Sequence, residues 1–335
     1  MKLIDIAKEA KVSVSTVSRV INNSANVKPE KRERVNAVLR KYEYIPNSIA
    51  RSLVSNSTRT IGILTPDIRH INCSTIAYTV ERTMSRQGYD TLLCNTGLEL
   101  SEQIRFLKGM SSRKVDGLVL IGVSYSCSEV EETLNRYFPE TPIVMLNSNL
   151  QAPNIVHVFG GMDRATVELT EYLCSLGHRK VAFIKEANSW VQDIKAQAFL
   201  QVMKQHGSDL PQRYVFTLHP GLDDSQTIVE YLEKEVQDYT AVMANSDVTA
   251  CGVIKYLKAA GKVIPRDVSV TGYYNTDYAK FCDPALTTID NKMTTIGETM
   301  ALALLRYMRG ERSQRLLRIT PELVVRESTC PINVR

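Results

Sequence analysis

From residue 60 onward, short apolar runs alternate with stretches of helical periodicity, and this alternation limits the fold more than any other feature of the chain. The runs Ile61 to Leu64, Thr91 to Cys94, Leu118 to Ile121 and Ile143 to Leu146 are interleaved with helical patterns near 74–87 and 101–111. A second set comprises Val181 to Ile184, Tyr214 to Leu218, Ala241 to Ala244 and Ser269 to Gly272, with helical patterns near 191–206, 224–235 and 247–260. Strands joined through helices pair in parallel, because a parallel connection needs a crossover long enough to hold a helix. Two such sets predict two α/β lobes with parallel sheets, and the strand ends of this architecture leave a crevice for a ligand.

The first sixth of the chain is different. Residues 1–56 hold eleven Lys or Arg against five Asp or Glu, a net of +6, while the rest holds 30 against 31, a net of −1. A basic segment on a near-neutral body points to a polyanion at one end of the molecule. A solvated tail would carry the same charge, but here apolar residues recur at helical spacing. Ile6, Ala7 and Ala10 share one side of a short helix. Ser13 is placed to cap a second helix, from Val14 to about Asn22. Val17, Val20 and Ile21 share its inner face; Val14, Ser15, Ser18 and Arg19 lie on the other. Pro29 opens a third helix with a stripe of Val35, Val38, Leu39 and Tyr42. Two helices joined by a tight turn fit a helix-turn-helix that enters the major groove. There Arg19 can bond the O6 and N7 of guanine, Ser15 a base or phosphate, and Val14 a thymine methyl. A three-helix bundle with no nucleic-acid role has the same apolar spacing, so spacing alone leaves both readings open.

Other classes lose support on composition and motif. With 335 residues, 44% hydrophobic and 23% charged, the chain has room for two or three globular domains. Its longest apolar stretch, Leu118 to Val123, is far short of the roughly 20 residues a membrane helix needs, so no membrane partner is expected. Asp5, Lys8, Glu9 and Lys11 break any signal-peptide core, which predicts a cytoplasmic protein. Seven cysteines, at 73, 94, 127, 174, 251, 282 and 330, are scattered with no CxxC pair, which predicts buried reduced thiols. The histidines at 70, 157, 178, 206 and 219 lack metal-ligand spacing, so neither metal nor cofactor is expected. No GxGxxG, P-loop, HExxH or GxSxG occurs, and Gly122-Val123-Ser124-Tyr125-Ser126 lacks the second glycine of the last. The chain is not expected to be an enzyme.

Several segments carry a specific likeness. Ile4-Asp5-Ile6-Ala7-Lys8, Val12 through Asn22 (VSVSTVSRVIN) and Tyr44 through Leu53 (YIPNSIARSL) resemble the lactose and galactose repressor family of bacterial transcription regulators. The likeness continues through Arg59-Thr60-Ile61-Gly62, Val115-Asp116-Gly117-Leu118, Gly177-His178-Arg179-Lys180-Val181, Asp267 through Val270, Pro284 through Ile289 and Arg326 through Thr329. It implies a small all-α helix-turn-helix domain at 1–46, a hinge helix and linker at 47–59, and a two-lobed α/β domain at 60–335 resembling periplasmic binding proteins. The lobes would comprise about 60–159 with 291–319 and 160–290 with 320–330. By the same resemblance, Val14, Ser15 and Arg19 read operator bases, while Ser13, Thr16, Ser18 and Asn22 stand at phosphates or support the helix. Residues Asn47 to Ser55 match a hinge helix that folds when two copies meet in the minor groove. Leu53 would be the wedge that unstacks a base step there, with Ala50 and Arg51 beside it. A homodimer is implied, its operator an inverted repeat. The chain carries no terminal leucine heptads, which favours a dimer over a tetramer.

The resemblance also implies a small effector, sugar or sugar derivative, between the lobes, with Asn72, Ser124, Trp190, Lys195, Asp247 and Tyr274 as candidate contacts. Here the chain departs from its relatives. It reads Gly272-Tyr273-Tyr274-Asn275 where many have Asp after the Gly-aromatic pair, so Tyr274 replaces an acceptor. Gly160-Gly161 stands in place of Asp-Asn, and His70-Ile71-Asn72-Cys73 in place of Asn-Pro-Phe-Phe. Lys195 aligns, across a one-residue gap, with an effector-binding Arg. Asp247 can be a pocket residue or the N-cap of the following helix. Lys195 can pair with a phosphate or carboxylate or lie solvated, and Trp190 can stack on an effector or close the core. The combined expectation is a dimeric repressor controlled by a small carbohydrate-like or phosphorylated metabolite through a change in lobe angle, a coupling of about 1–3 kcal/mol. Control by a protein partner, as a phosphocarrier controls the catabolite control members, is the alternative. A cytoplasmic sugar-binding body with a vestigial DNA domain is more remote.

Overall fold

The computed structural model describes residues 3–21, 26–42, 57–185, 190–209, 211–217, 225–311 and 315–332. The chain divides into a unit of residues 1–60 with 114–116 and a unit of residues 61–113 with 117–335.

Helices α1 (Leu3–Glu9), α2 (Val14–Ile21) and α3 (Pro29–Lys41) form the first unit. Their apolar stripes enclose Ile6, Ala7, Ala10, Val17, Val20, Val35 and Val38, all buried. Such small side chains let three short helices approach closely enough to exclude water from a core this small. The Lys41 ammonium, 2.7 Å from Glu9 Oε1, joins the end of α3 to the end of α1. Tyr42 departs from the expected stripe: it follows the last turn of α3, is 45% exposed, and its ring lies 4.9 Å from Lys41 Nζ. In the same unit, the Asp116 carboxylate accepts from the amides of Thr58 (2.9 Å) and Arg59 (3.0 Å) and from the Ser57 hydroxyl.

The second unit contains two six-stranded sheets. The first sheet contains β1 (Thr60–Thr65), β2 (Asp90–Asn95), β3 (Gly117–Ile121), β4 (Ile143–Leu146), β5 (Ile155–Phe159) and β11 (Leu316–Arg318), in the order β11-β5-β4-β3-β1-β2. The second contains β6 (Val181–Lys185), β7 (Val215–Thr217), β8 (Ala241–Met243), β9 (Ser269–Tyr273), β10 (Thr287–Asp290) and β12 (Glu322–Val324), in the order β12-β10-β9-β8-β6-β7. Helices α4 (Ile71–Arg86), α5 (Leu100–Ser112), α6 (Ser128–Tyr137) and α12 (Met293–Met308) belong with the first sheet. Helices α7 (Met162–Ser175), α8 (Trp190–Gln205), α9 (Ser225–Tyr231), α10 (Asp247–Ala259) and α11 (Asp277–Phe281) belong with the second. Among the described residues no helix is long and apolar enough to cross a membrane.

Central strands such as β3 and β4 are buried along their whole length, which is why they read as unbroken apolar runs in the sequence. On the first sheet Ile61, Ile63, Val119 and Val144 pack with Ile76 and Val80 of α4 and Met300 and Leu304 of α12. The two helices nearly touch at Gly297, where a Cβ would lie 2.6 Å from Thr79 Cβ. The second sheet is covered on both faces: Ala182, Val242 and Val270 pack with Ile228, Val253 and Leu257, while Phe183 stacks on Phe199 at 5.0 Å between centroids.

The chain passes between the sheets at 159–162, 290–293 and 318–322. These connectors are tied together. Gly161 adopts φ +62, and a Cβ there would lie 2.7 Å from both Ile319 O and Pro321 Cδ. Lys292 Nζ reaches Glu322 Oε2 at 2.5 Å and Asp290 Oδ2 at 3.1 Å. One strand breaks the expected parallel pattern: β12 runs antiparallel to β10. Only Ile319-Thr320-Pro321 separates β11 from β12, with no helix to turn the chain round, so it leaves one sheet and enters the other in the same direction.

The cysteines also differ from expectation. Cys73 and Cys174 are buried, whereas Cys94, Cys127, Cys251, Cys282 and Cys330 are half-buried; all are free thiols.

Candidate functional site

The first unit presents one polar face over its sealed core. Ser13 caps α2, its hydroxyl accepting from the Thr16 amide at 3.2 Å and pairing with the Ser15 and Thr16 hydroxyls, each at 2.9 Å. This fixes the first turn of α2 and aims its outer face. Val14 is 42% exposed, Ser15 and Arg19 are exposed, and Thr16 and Ser18 are half-buried. An exposed valine beside a hydroxyl and a guanidinium is a poor solvent surface and a good match for the methyls, donors and acceptors of base edges. Asn22, Ala50 and Leu53, with the expected hinge helix, lie outside the described residues.

The second unit gathers polar groups at the carboxyl ends of its strands. Lys195, in the second turn of α8, is only 2% exposed. Its ammonium lies 3.1 Å from Asn245 Oδ1 and 3.8 Å from the centroid of the buried Tyr273 ring. The solvated alternative for this lysine is therefore excluded. Asn245, just beyond β8, is held in place by donating to Ile184 O (2.6 Å) and Gln192 Oε1 (2.8 Å). Sequence reading missed Asn245 and Tyr273; their signal was position, each standing at or just past the end of a strand.

Asp247 is 1% exposed and its oxygens are engaged by the protein itself. Oδ2 accepts from the amide (2.7 Å) and hydroxyl (2.9 Å) of Thr276, and Oδ1 accepts from Thr288 Oγ1 (2.5 Å). Burial raises its pKa against the pull of these donors and of Arg326. Gly272 makes room for the carboxylate, since a Cβ there would lie 2.5 Å from Oδ1. The helix cap is Ser246, which accepts from the Thr249 amide at 3.2 Å, so Asp247 is the first helical residue and not the N-cap.

Trp190 opens α8 and is half-buried; its indole N–H is shielded from solvent and meets no acceptor among the described residues. Such a donor gains from any acceptor delivered to it. On the first lobe, Asn72 Oδ1 accepts from Asn291 Nδ2 at 2.9 Å, leaving the buried Asn291 Oδ1 without a donor among the described residues. Ser124 follows β3 and accepts from Gln103 Nε2 at 3.1 Å. The lobes meet where His70 stands edge-on to Tyr274, with centroids 5.5 Å apart. Tyr274 is held there with φ +104, a conformation unusual for a side chain of its size.

Comparison with known proteins agrees with this architecture. Residues 2–47 match the family model described as bacterial regulatory proteins, lacI family, and residues 170–329 match the periplasmic binding protein-like domain. The chain is 31% identical to an HTH-type transcriptional regulator of Lachnoclostridium phytofermentans over 333 residues, covering 98% of this chain and 99% of the relative. The lac repressor dimer bound to operator and an anti-inducer superposes with a TM-score of 0.86 at 23% identity, covering 98% of this chain and 99% of that one. A regulator from Enterococcus faecium with bound ribose superposes with a TM-score of 0.72 at 26% identity, covering 81% of this chain and 99% of that one.

Proposed function

This chain belongs to the LacI family of bacterial regulatory proteins, and from that premise we propose that it is a cytoplasmic repressor without catalytic turnover, binding an inverted-repeat operator as a homodimer. The observation that carries the reading is the outer face of α2, where Val14, Ser15 and Arg19 stand exposed on a helix whose opposite side is sealed. Val14, Ser15 and Arg19 read base edges. Ser13, Thr16, Ser18 and Asn22 contact phosphates or hold the helix in register, and Ala50 and Leu53 act in the minor groove. The working divisions are 1–46 for DNA binding, 47–59 for the hinge, and 60–335 for effector binding and dimerisation.

A small carbohydrate-like or phosphorylated metabolite sets operator affinity from between the lobes. Support comes from the Lys195 ammonium, the open Trp190 N–H, and the ribose bound by the Enterococcus relative. Asn72, Ser124 and Tyr274 complete the contacts, and Asp247 acts by fixing the wall behind them. One observation favours a second reading, control by a protein partner in place of a metabolite: His70 and Tyr274 already meet across the crevice.

The test is selection of bound sites from a random duplex pool, followed by anisotropy titration of the winner. An inverted repeat is expected, with affinity falling steeply as salt rises. Replacing Arg19 with Ala removes a contact of about 1–3 kcal/mol, so affinity drops roughly 5- to 150-fold and the preference for guanine at one position relaxes. Unchanged affinity and preference in Arg19→Ala would refute the assignment of α2.

A further inference from the structure

Two cysteines separated by thirty residues of sequence stand side by side on the second lobe. Cys251 lies in the second turn of α10 and Cys282 directly follows α11. Both line a cavity of about 360 Å³ with Asp277, Tyr278 and Phe281. The cavity is open to small molecules: Phe281 is 82% and Tyr278 57% exposed, and both sulfurs are half-buried. The Cys251 thiol reaches Tyr278 O at 3.4 Å, within the helix that Cys282 follows, and both cysteines pack against the same apolar cluster of the second lobe. We propose that Cys251 and Cys282 are a modification site, a dithiol that a peroxide converts reversibly to an intrachain disulfide, with Cys282 the attacking and Cys251 the resolving sulfur.

The roles follow from the surroundings. Hydrogen bonding from Cys251, aided by the Asp283 amide and the Lys258 ammonium, brings Cys282 down to about 7, while Cys251 is pushed up by the same pairing, by burial and by Asp247. Lys258 is anchored beside the pair by Asp283, donating to its carbonyl (2.8 Å) and carboxylate (2.7 Å). The thiolate is the nucleophile in this chemistry. Cys282 Sγ attacks one peroxide oxygen; the O–O bond breaks, and the departing hydroxide takes up the proton lost by the thiol, giving a sulfenic acid and water. Cys251 Sγ then attacks that sulfur, the S–O bond breaks, and a second water leaves with the Cys251 proton. Two thiols lose two electrons in all, and one peroxide becomes two waters. Cys251 and Cys282 are the cysteines that line this cavity; Cys174 meets Met203 Sδ (3.7 Å) and Cys330 meets Pro265 O (3.3 Å).

The test treats the full-length protein with one equivalent of hydrogen peroxide at pH 7, then digests it without reductant for mass spectrometry. The expected product is 2 Da lighter, with a Cys251–Cys282 peptide pair that dithiothreitol separates. Cys251→Ser should stop at a sulfenic acid on Cys282 that dimedone traps, and Cys282→Ser should resist oxidation. Iodoacetamide labelling of the unsubstituted protein gives a check independent of either variant, with Cys282 expected to react at least tenfold faster than Cys127. Equal labelling rates, pairing with any other cysteine, or a bond between two copies would overturn the proposal.

Discussion

The two lobes share one strand order yet differ in the walls they turn to the crevice. On the first lobe, Asn72, Ser124 and Gln103 offer neutral amides and a hydroxyl, paired with one another or with Asn291. On the second, Lys195 and Asp247 place ionisable groups in buried positions, each held by neutral partners: Asn245 and the Tyr273 ring for one, Thr276 and Thr288 for the other. The sheets are constrained by the same need to bury both faces, so their strand order repeats, with one difference at the edge, where β11 is parallel to β5 and β12 antiparallel to β10. Strand ends carry no such constraint, and there the lobes diverge. The comparison teaches that buried ionisable groups gather at the strand ends of the second lobe and neutral hydrogen-bonding groups at those of the first, a division that a charged and an uncharged ligand would test separately.

The sharpest way to break this division is Lys195→Met, which keeps the length of the buried stem and removes the charge. Hydrogen bonds involving a charged group contribute about 1.5–3 kcal/mol, so binding of a responsive sugar or sugar phosphate should weaken roughly 10- to 150-fold. The fluorescence of Trp190, the chain's only tryptophan and five residues from Lys195, reports the titration. A sugar phosphate losing more affinity than its parent sugar would assign the anion to Lys195. Equal losses would leave the second wall reading hydroxyls alone.

How much of this was visible in the residues depended on burial. Strands with both faces covered, such as Leu118 to Ile121 and Ile143 to Leu146, show as apolar runs, and the α2 face shows through the contrast of Val17 and Val20 with Ser15 and Arg19. The strand β5 was missed because His157 interrupts it, and α7 because its polar flank hides the buried Ala165, Leu169 and Leu173. β11 and β12 are three residues each, too short for any periodicity. The crevice was legible only in part. Lys195 and Trp190 stood out as residue types, but whether a helical lysine is solvated or buried is decided by Asn245 and Tyr273, fifty or more residues away. The Cys251–Cys282 pair was invisible for the same reason, since spacing along the chain says nothing about two helices brought together by a sheet.

On the neutral wall, Asn72→Ala tests the other half of the comparison. It removes an uncharged group from the wall, and a neutral hydrogen bond to a ligand is worth about 0.5–1.5 kcal/mol, so effector affinity should fall roughly 2- to 13-fold, equally for a sugar and its phosphate. A larger loss than that of Lys195→Met, or a selective loss of the phosphate, would invert the roles of the two walls.

The smallest effect concerns Asp247, whose carboxyl is engaged by Thr276 and Thr288. Its pKa is raised by burial, so the folded protein holds this proton more tightly than the unfolded chain does. The stabilisation is fully present below the unfolded value of about 3.9 and is lost as pH rises through the folded one. Asp247→Asn cannot titrate, so the difference in Tm between the unsubstituted protein and this variant should be most favourable to Asp247 at the acid end and decline as pH rises. Differencing the two melts cancels every other titrating group. A Tm difference that grows with pH would mean that the Thr276 and Thr288 donors outweigh burial, and that the second wall carries a settled negative charge opposite its lysine. In that case the wall would be close to neutral overall, and the division of labour between the lobes would rest on geometry in place of charge.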